Sequence, residues 1–347
     1  CIIESNASTT TLGTLMMGTG TNGLTLVAND IRDAQGTPGT VGVPANAIYC
    51  NNASNTITVG GSTAADGNNI YNFTSSGVGI TLSADGAVVR NNNVYQTAGR
   101  STTIININVA GGSNNSVVSN NNIYQTAGTN SAQWIGIAIQ GGGSGHTINN
   151  NSIGGSDATR GGNALSNSFG STSAPIYGIF CGAGSGTFTN IQGNSISNIA
   201  ATNTVTGCIV LGIHAVGNVN IGTTTGNILG GGANPSDTIQ NAYDNGIIQY
   251  AGTNTANIEN NIIGNIAYYR NLGDRTAGIT ISGAGTVNIK KNTIRDIKSN
   301  STATGTTAFN TWGIFINAAI NGASVIDSNT IYNIENTNTG TSAYPTA

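Results

Sequence analysis

One spacing governs what this chain can fold into: an apolar residue, two variable positions, Asn, one variable position, then Ile or Val. It runs from Val89 to Val94 around Asn92, Val118 to Ile123 around Asn121, Ile148 to Ile153 around Asn151, and Ile191 to Ile196 around Asn194. It returns from Ile258 to Ile263 around Asn261, Ile289 to Ile294 around Asn292, and Ile326 to Ile331 around Asn329. One copy departs, Ile221 to Ile228, which carries two extra residues and sets Gly226 where Asn is expected; a degenerate early copy ends at Ile70. Gly and Asn are the residues that best tolerate a left-handed backbone. The position therefore reads as a bend between two short strands.

A second signal precedes the first. Gly followed by Ile occurs at Gly79, Gly136, Gly178, Gly212, Gly246, Gly278 and Gly313, with Ile104-Ile105 breaking the rule. Each repeat thus supplies three strands: A at Gly-Ile, B before the bend and C after it. Nothing in these segments has helical period, and self-similarity at this spacing marks a solenoid. The expected fold is all-β, a right-handed parallel β-helix of three sheets and about nine coils around Ile and Val, since parallel crossovers are right-handed. Ile137, Ile179, Ile213, Ile247, Ile279 and Ile314 should form one buried column, and the Asn side chains a ladder along the axis. Counting by two from those Ile, Tyr177 and Trp312 point inward; Thr81, Asn106, Ala138, Phe180, His214, Ile248, Thr280 and Phe315 point outward. An ice-binding face would need Thr-x-Thr on successive rungs, which these residues do not supply.

The helix is expected over residues 46–335, after irregular first rungs in 1–45 and before a tail at 336–347. The segments 154–173, 230–244 and 298–310 read as variable insertions at one corner. Neither end shows a capping helix, so the chain is expected to continue or to pack end to end with copies of itself or another surface protein.

This pattern resembles the pectin-lyase-like superfamily of right-handed β-helices, in the form of its generic parallel β-helix repeats, over about residues 45–335. The Asn-Thr-Ile and Asn-Ile-Tyr texture is similar to solenoid tracts of very large secreted bacterial surface proteins. The first resemblance implies a fold shared by polysaccharide hydrolases with neighbouring Asp residues and by lyases with an Asp-rich calcium site.

The chain's own residues point away from that chemistry. Charged residues are 7% of the 347, with net charge −3, which gives nucleic acid no electrostatic footprint. A glycosidase needs two carboxyls flanking one bond, yet no Asp-Asp pair occurs, and Asp296 and Asp327 fall on strands C and B. His146 and His214 lack neighbours at metal-ligand spacing and read as solvated surface residues. No cofactor motif and no apolar run of membrane-spanning length occurs. Cys50 and Cys181 each sit two residues after an inward Ile, too many rungs apart to bridge, and Cys208 does not align with them. Cys1 could carry a lipid but reads better as a cleavage boundary. Six of the ten basic residues, Arg270, Arg275, Lys290, Lys291, Arg295 and Lys298, fall within two coils. They read as a solvated face, with an acidic-glycan patch as the alternative.

The expected function is a non-catalytic extracellular or cell-surface solenoid, a part of an adhesin, stalk, sheath or filament. The alternative is a glycan-binding or glycan-degrading β-helix. The surface residues for a glycan or partner are Phe180, His214, Ile248, Phe315, Lys290, Lys291 and Arg295.

Overall fold

A computed structural model describes residues 1–5, 13–18, 23–33, 43–51, 56–80, 85–168, 176–202, 209–231, 237–241, 245–268, 275–299 and 310–336. The described strands form three parallel sheets wound as a right-handed β-solenoid. The A and B strands build sheets of ten strands each, and the C strands lie in a sheet of sixteen. Ile and Val fill the interior: Ile137, Ile179, Ile213, Ile248 and Ile279 are fully buried and paired rung to rung. The register extends to Val78 and Ile107 below and Ile314 above. Within 1–45, Ile2–Ser5, Leu15–Met17 and Leu24–Leu26 pair in register with Asp30–Asp33, Asn46–Cys50 and Ile57–Val59. The described part of that segment thus joins the three sheets in register. Cys50 and Cys181 share one inward column, separated by Ile80, Val109 and Ile139, and Cys208 lies outside the described residues.

The Asn ladder runs through Asn29, Asn68, Asn92, Asn121, Asn151, Asn194, Asn227, Asn261, Asn292 and Asn329. Each Nδ2 donates to the Oδ1 of the next Asn; the same Oδ1 also accepts the backbone N–H of the Asn below, as Asn194 Oδ1 does from Asn151 at 3.0 Å. Nδ2 donates backward as well, from Asn194 to Ile148 O at 2.9 Å. One amide thus joins three rungs and satisfies buried backbone groups at the bend.

Two expectations about the bend fail. The left-handed residue is the one before the ladder Asn, with φ of 58° at Asn91, 54° at Asn120, 55° at Asn150, 63° at Gly193, 57° at Asn260, 55° at Lys291 and 54° at Ser328. Gly226 does not replace an Asn: Asn227 holds the ladder, Leu229 pairs with Ile196 as the inward residue, and Ile228 turns outward. Gly226 is required by close approach, since a Cβ there would lie 1.9 Å from Asn260 O.

The Gly of each A strand also has a steric cause. A kink shared by neighbouring rungs breaks the alternation and leaves a position without a ladder pair, between Tyr177↔Leu211 and Ile179↔Ile213 for example. A Cβ on Gly178 would lie 2.9 Å from the Ile196 side chain and 2.6 Å from Gly212 O; on Gly278 it would lie 2.5 Å from Ile294. The kink moves the expected register in three rungs, and Gly77-Val78, not Gly79-Ile80, fills the Gly-Ile position of its rung. Asn106-Ile107, not Ile104-Ile105, fills the Gly-Ile position, and Ile248, not Ile247, enters the Ile column.

A fourth strand is new. After strand C the chain turns again and lays down Thr129–Asn130, Leu165–Asn167, Ile199–Ala201, Ile239–Asn241, Ile266–Tyr268 and the second halves of Thr293–Ser299 and Thr330–Asn336. Their inward column is Leu165, Ile199, Ile239, Ile266, Ile297 and Ile334. Left-handed Asn198, Asn265, Asp296 and Asn333 make this corner. The insertions expected at 154–173, 230–244 and 298–310 are therefore partly rungs.

Asn194→Ala should cost at least ~2 kcal/mol, because it orphans the Asn151 donors and the Ile148 carbonyl together; Asn29→Ala, at the half-buried end of the ladder, should cost less. Gly178→Ala should cost ~1–3 kcal/mol through overpacking against Ile196. Urea unfolding of the three variants beside the parent measures both.

Candidate functional site

The kink decides which side chains reach the outer face of the A strands. An extra residue between two inward positions puts Tyr177 and Phe180 on the same side, so Tyr177 and Trp312 face outward, not inward. Ile248 is fully buried and cannot serve a partner, and Asn106 is buried in the Gly position with its Nδ2 donating to Ile135 O. The outer column is instead Tyr49, Gly79, Asn108, Ala138, Phe180, His214, Gln249, Thr280 and Phe315. Thr81 lies outside the described residues.

Two aromatic groups stand on this face. Phe180 and His214 stack with centroids 5.3 Å apart and planes 9° apart, and Tyr177 meets both edge-on, at 5.3 Å to Phe180 and 5.6 Å to His214. His214 Nδ1 lies 2.9 Å from Gln249 Oε1. Two rungs beyond Gln249, Trp312 and Phe315 stack at 4.4 Å. Burial against these rings lowers the His214 pKa, opposed by the Gln249 hydrogen bond, and burial raises the Tyr177 pKa. His214 is half-buried, so its reading as a solvated histidine is corrected. His146 is corrected further, being fully buried.

The basic residues do not converge on this face. Lys290 is flanked in register by Glu259 and Asp327 on the B strands. Lys291 forms the left-handed bend. The Arg295 guanidinium bonds Asp296 and reaches Gly231 O at 2.9 Å, and Lys298 pairs with Glu335 at 3.2 Å. Arg270 and the Arg275 side chain lie outside the described residues. Asp296, Lys298, Glu335 and Asn333 line an open cleft of about 670 Å³ along the fourth strands. There the Asn333 amide, aided by Arg295, holds the Asp296 carboxyl below its ordinary range. Among the described residues, no three His, Cys, Asp or Glu side chains group as metal ligands, and no helix is long and apolar enough to cross a membrane.

A second stack lies on the C strands, where Tyr71, Tyr95 and Tyr124 repeat at 4.7 and 4.8 Å and the Asn69, Asn93 and Asn122 amides bond in series beside them. Arg32 caps it, donating to Tyr71 Oη at 2.7 Å and pairing with Glu4 at 2.6 Å. The sequence signal was the shared Asn-x-Tyr after the bend.

No protein-family model matches the chain, and no curated protein or solved structure shows significant similarity to it.

Proposed function

We propose that this chain forms the body of an extracellular structural or adhesive solenoid, a segment or subunit of a cell-surface adhesin, stalk, sheath or filament. The observation that supports this most is the ladder, which links rungs from Asn29 to Asn329 without a break and makes length and stiffness the product of the repeat. The composition, low in charge and rich in Asn, Thr and Gly, fits an extracellular setting. The last described rung suits further stacking: Ile326 is 49% exposed and Ile331 44%, whereas Ile289 and Ile294, one rung below in the same columns, are fully buried. Among the described residues that rung pairs on one side only, and it carries an exposed apolar surface as well.

A second reading, glycan binding, is favoured by the aromatic face. Flat rings with Gln249 among them offer stacking surfaces and a neutral hydrogen-bonding group at a spacing of ~4.8 Å per rung.

Sedimentation at micromolar concentration tests the first reading, with elongated oligomers expected and lost in the Ile326→Asp/Ile331→Asp double variant. A concentration-independent monomer overturns stacking through this rung. For the second reading, tryptophan emission is the probe, because the only other Trp, Trp134, is fully buried. Neutral polysaccharides should shift Trp312 emission in the parent and not in Phe315→Ala; no shift with any of them removes the glycan reading.

A further inference from the structure

We infer that the corner carrying His146 is an acid-triggered opening point within the solenoid. In register, Ser116, His146 and Thr189 occupy one inward column, each preceding the paired residues Val117, Thr147 and Asn190. The column continues through Val219, Ala256 and Val287. An imidazole is foreign to this series of small and aliphatic side chains. His146 is 0% exposed, and neither ring nitrogen has a hydrogen-bond partner; Ser116 Oγ, one rung below, has none either. Thr189 Oγ above accepts the His146 backbone N–H at 3.4 Å, not a ring N–H. The ring fills the corner against Gly143, where a Cβ would stand 3.0 Å from Nε2.

A neutral imidazole can stay in such a place, losing only its hydrogen bonds. A protonated one is held poorly, because its desolvation cost outweighs the two groups that favour the cation, the Gly143 backbone and the Asp85 charge. Its neighbours in the column, Ser116 and Thr189, and Gly143 beside the ring are not titratable. Asp85 is the one ionisable side chain whose charge acts on it, and that carboxylate is engaged by the Asn114 backbone N–H at 2.7 Å. Burial accordingly lowers the pKa of His146 from 6.5. The sign follows: the opened or unfolded state binds the proton more readily, so the contribution of His146 to stability is intact above about 6.5 and is lost as pH falls toward the lower folded value. The local chain is suited to opening. Gly141, Gly142 and Gly145, with φ of 91°, 75° and 73°, hinge the corner. Releasing the ring to solvent needs movement of this A-to-B turn and not of the ladder at the opposite end of the B strand.

Hydrogen–deuterium exchange of the full chain at pH 7.5 and 5.0 tests this, comparing the parent with His146→Gln, which keeps polarity and does not titrate. The parent-to-variant ratio of exchange rates in peptides spanning 113–119 and 141–149 should rise as pH falls, by up to ~tenfold per unit below 6.5. His214→Gln, changed in the half-buried histidine of the outer face, should leave that rise in place. Should His146→Gln fold poorly, His146→Thr serves, since Thr189 already holds the column one rung above. A ratio that is the same at both pH values, or acid opening that starts in other peptides, overturns the inference.

Discussion

Everything in this molecule depends on a side-chain amide with both ends engaged inside a protein core. A parallel solenoid must turn its chain at every corner, and each turn strands backbone donors and acceptors where water does not reach. Here the ladder Asn meets that demand from the side chain, donating to a carbonyl of the rung below and to the amide of the rung above while accepting from a backbone N–H. The geometry works only if rungs keep their phase. That phase in turn fixes which residues of strands A, B and C face the Ile and Val interior.

The second constraint is steric. The A strand cannot alternate strictly, because the inward residue of strand C reaches across the coil into its path. Gly178, Gly212 and Gly278 make room for Ile196, Leu229 and Ile294. Room is gained by a kink shared from rung to rung, and the kink brings Tyr177 and Phe180 together on the outer face. The aromatic group of Tyr177, Phe180 and His214 is therefore a by-product of core packing: the residues that clear the interior also bring three rings together outside it.

The fold was legible because its two rulers are enforced by these contacts. The Asn ruler was read correctly at Asn92, Asn121, Asn151, Asn194, Asn261, Asn292 and Asn329, and misread at Gly226 because a corner two residues longer shifts Asn227 into place. Side-chain direction was less legible. Counting by two fails across the kink, which a single sequence does not announce, so Ile248, Tyr177 and Trp312 were assigned to the wrong side. The fourth strand did leave a trace in Ile196-x-x-Ile199, Ile263-x-x-Ile266, Ile294-x-x-Ile297 and Ile331-x-x-Ile334, each with Asn or Asp before the second Ile. Three-residue spacing suggests a helix face or a loop, and only the left-handed residue between the two Ile turns it into a second inward position. His146 was misplaced for a related reason, since polarity alone gave no sign that its register position points into the core.

The hydrogen bonds between rungs run along the axis of the solenoid, while the covalent chain runs around it. A pull applied to the two ends therefore loads those bonds head-on, and the terminal rung can peel away before its neighbour carries the force. A push or shear across the axis instead runs along the strands, where covalent bonds bear it and many rungs share it at once. The body is thus stiff against bending and sideways load, and yields to axial tension one coil at a time, each coil releasing a long stretch of chain as it lets go.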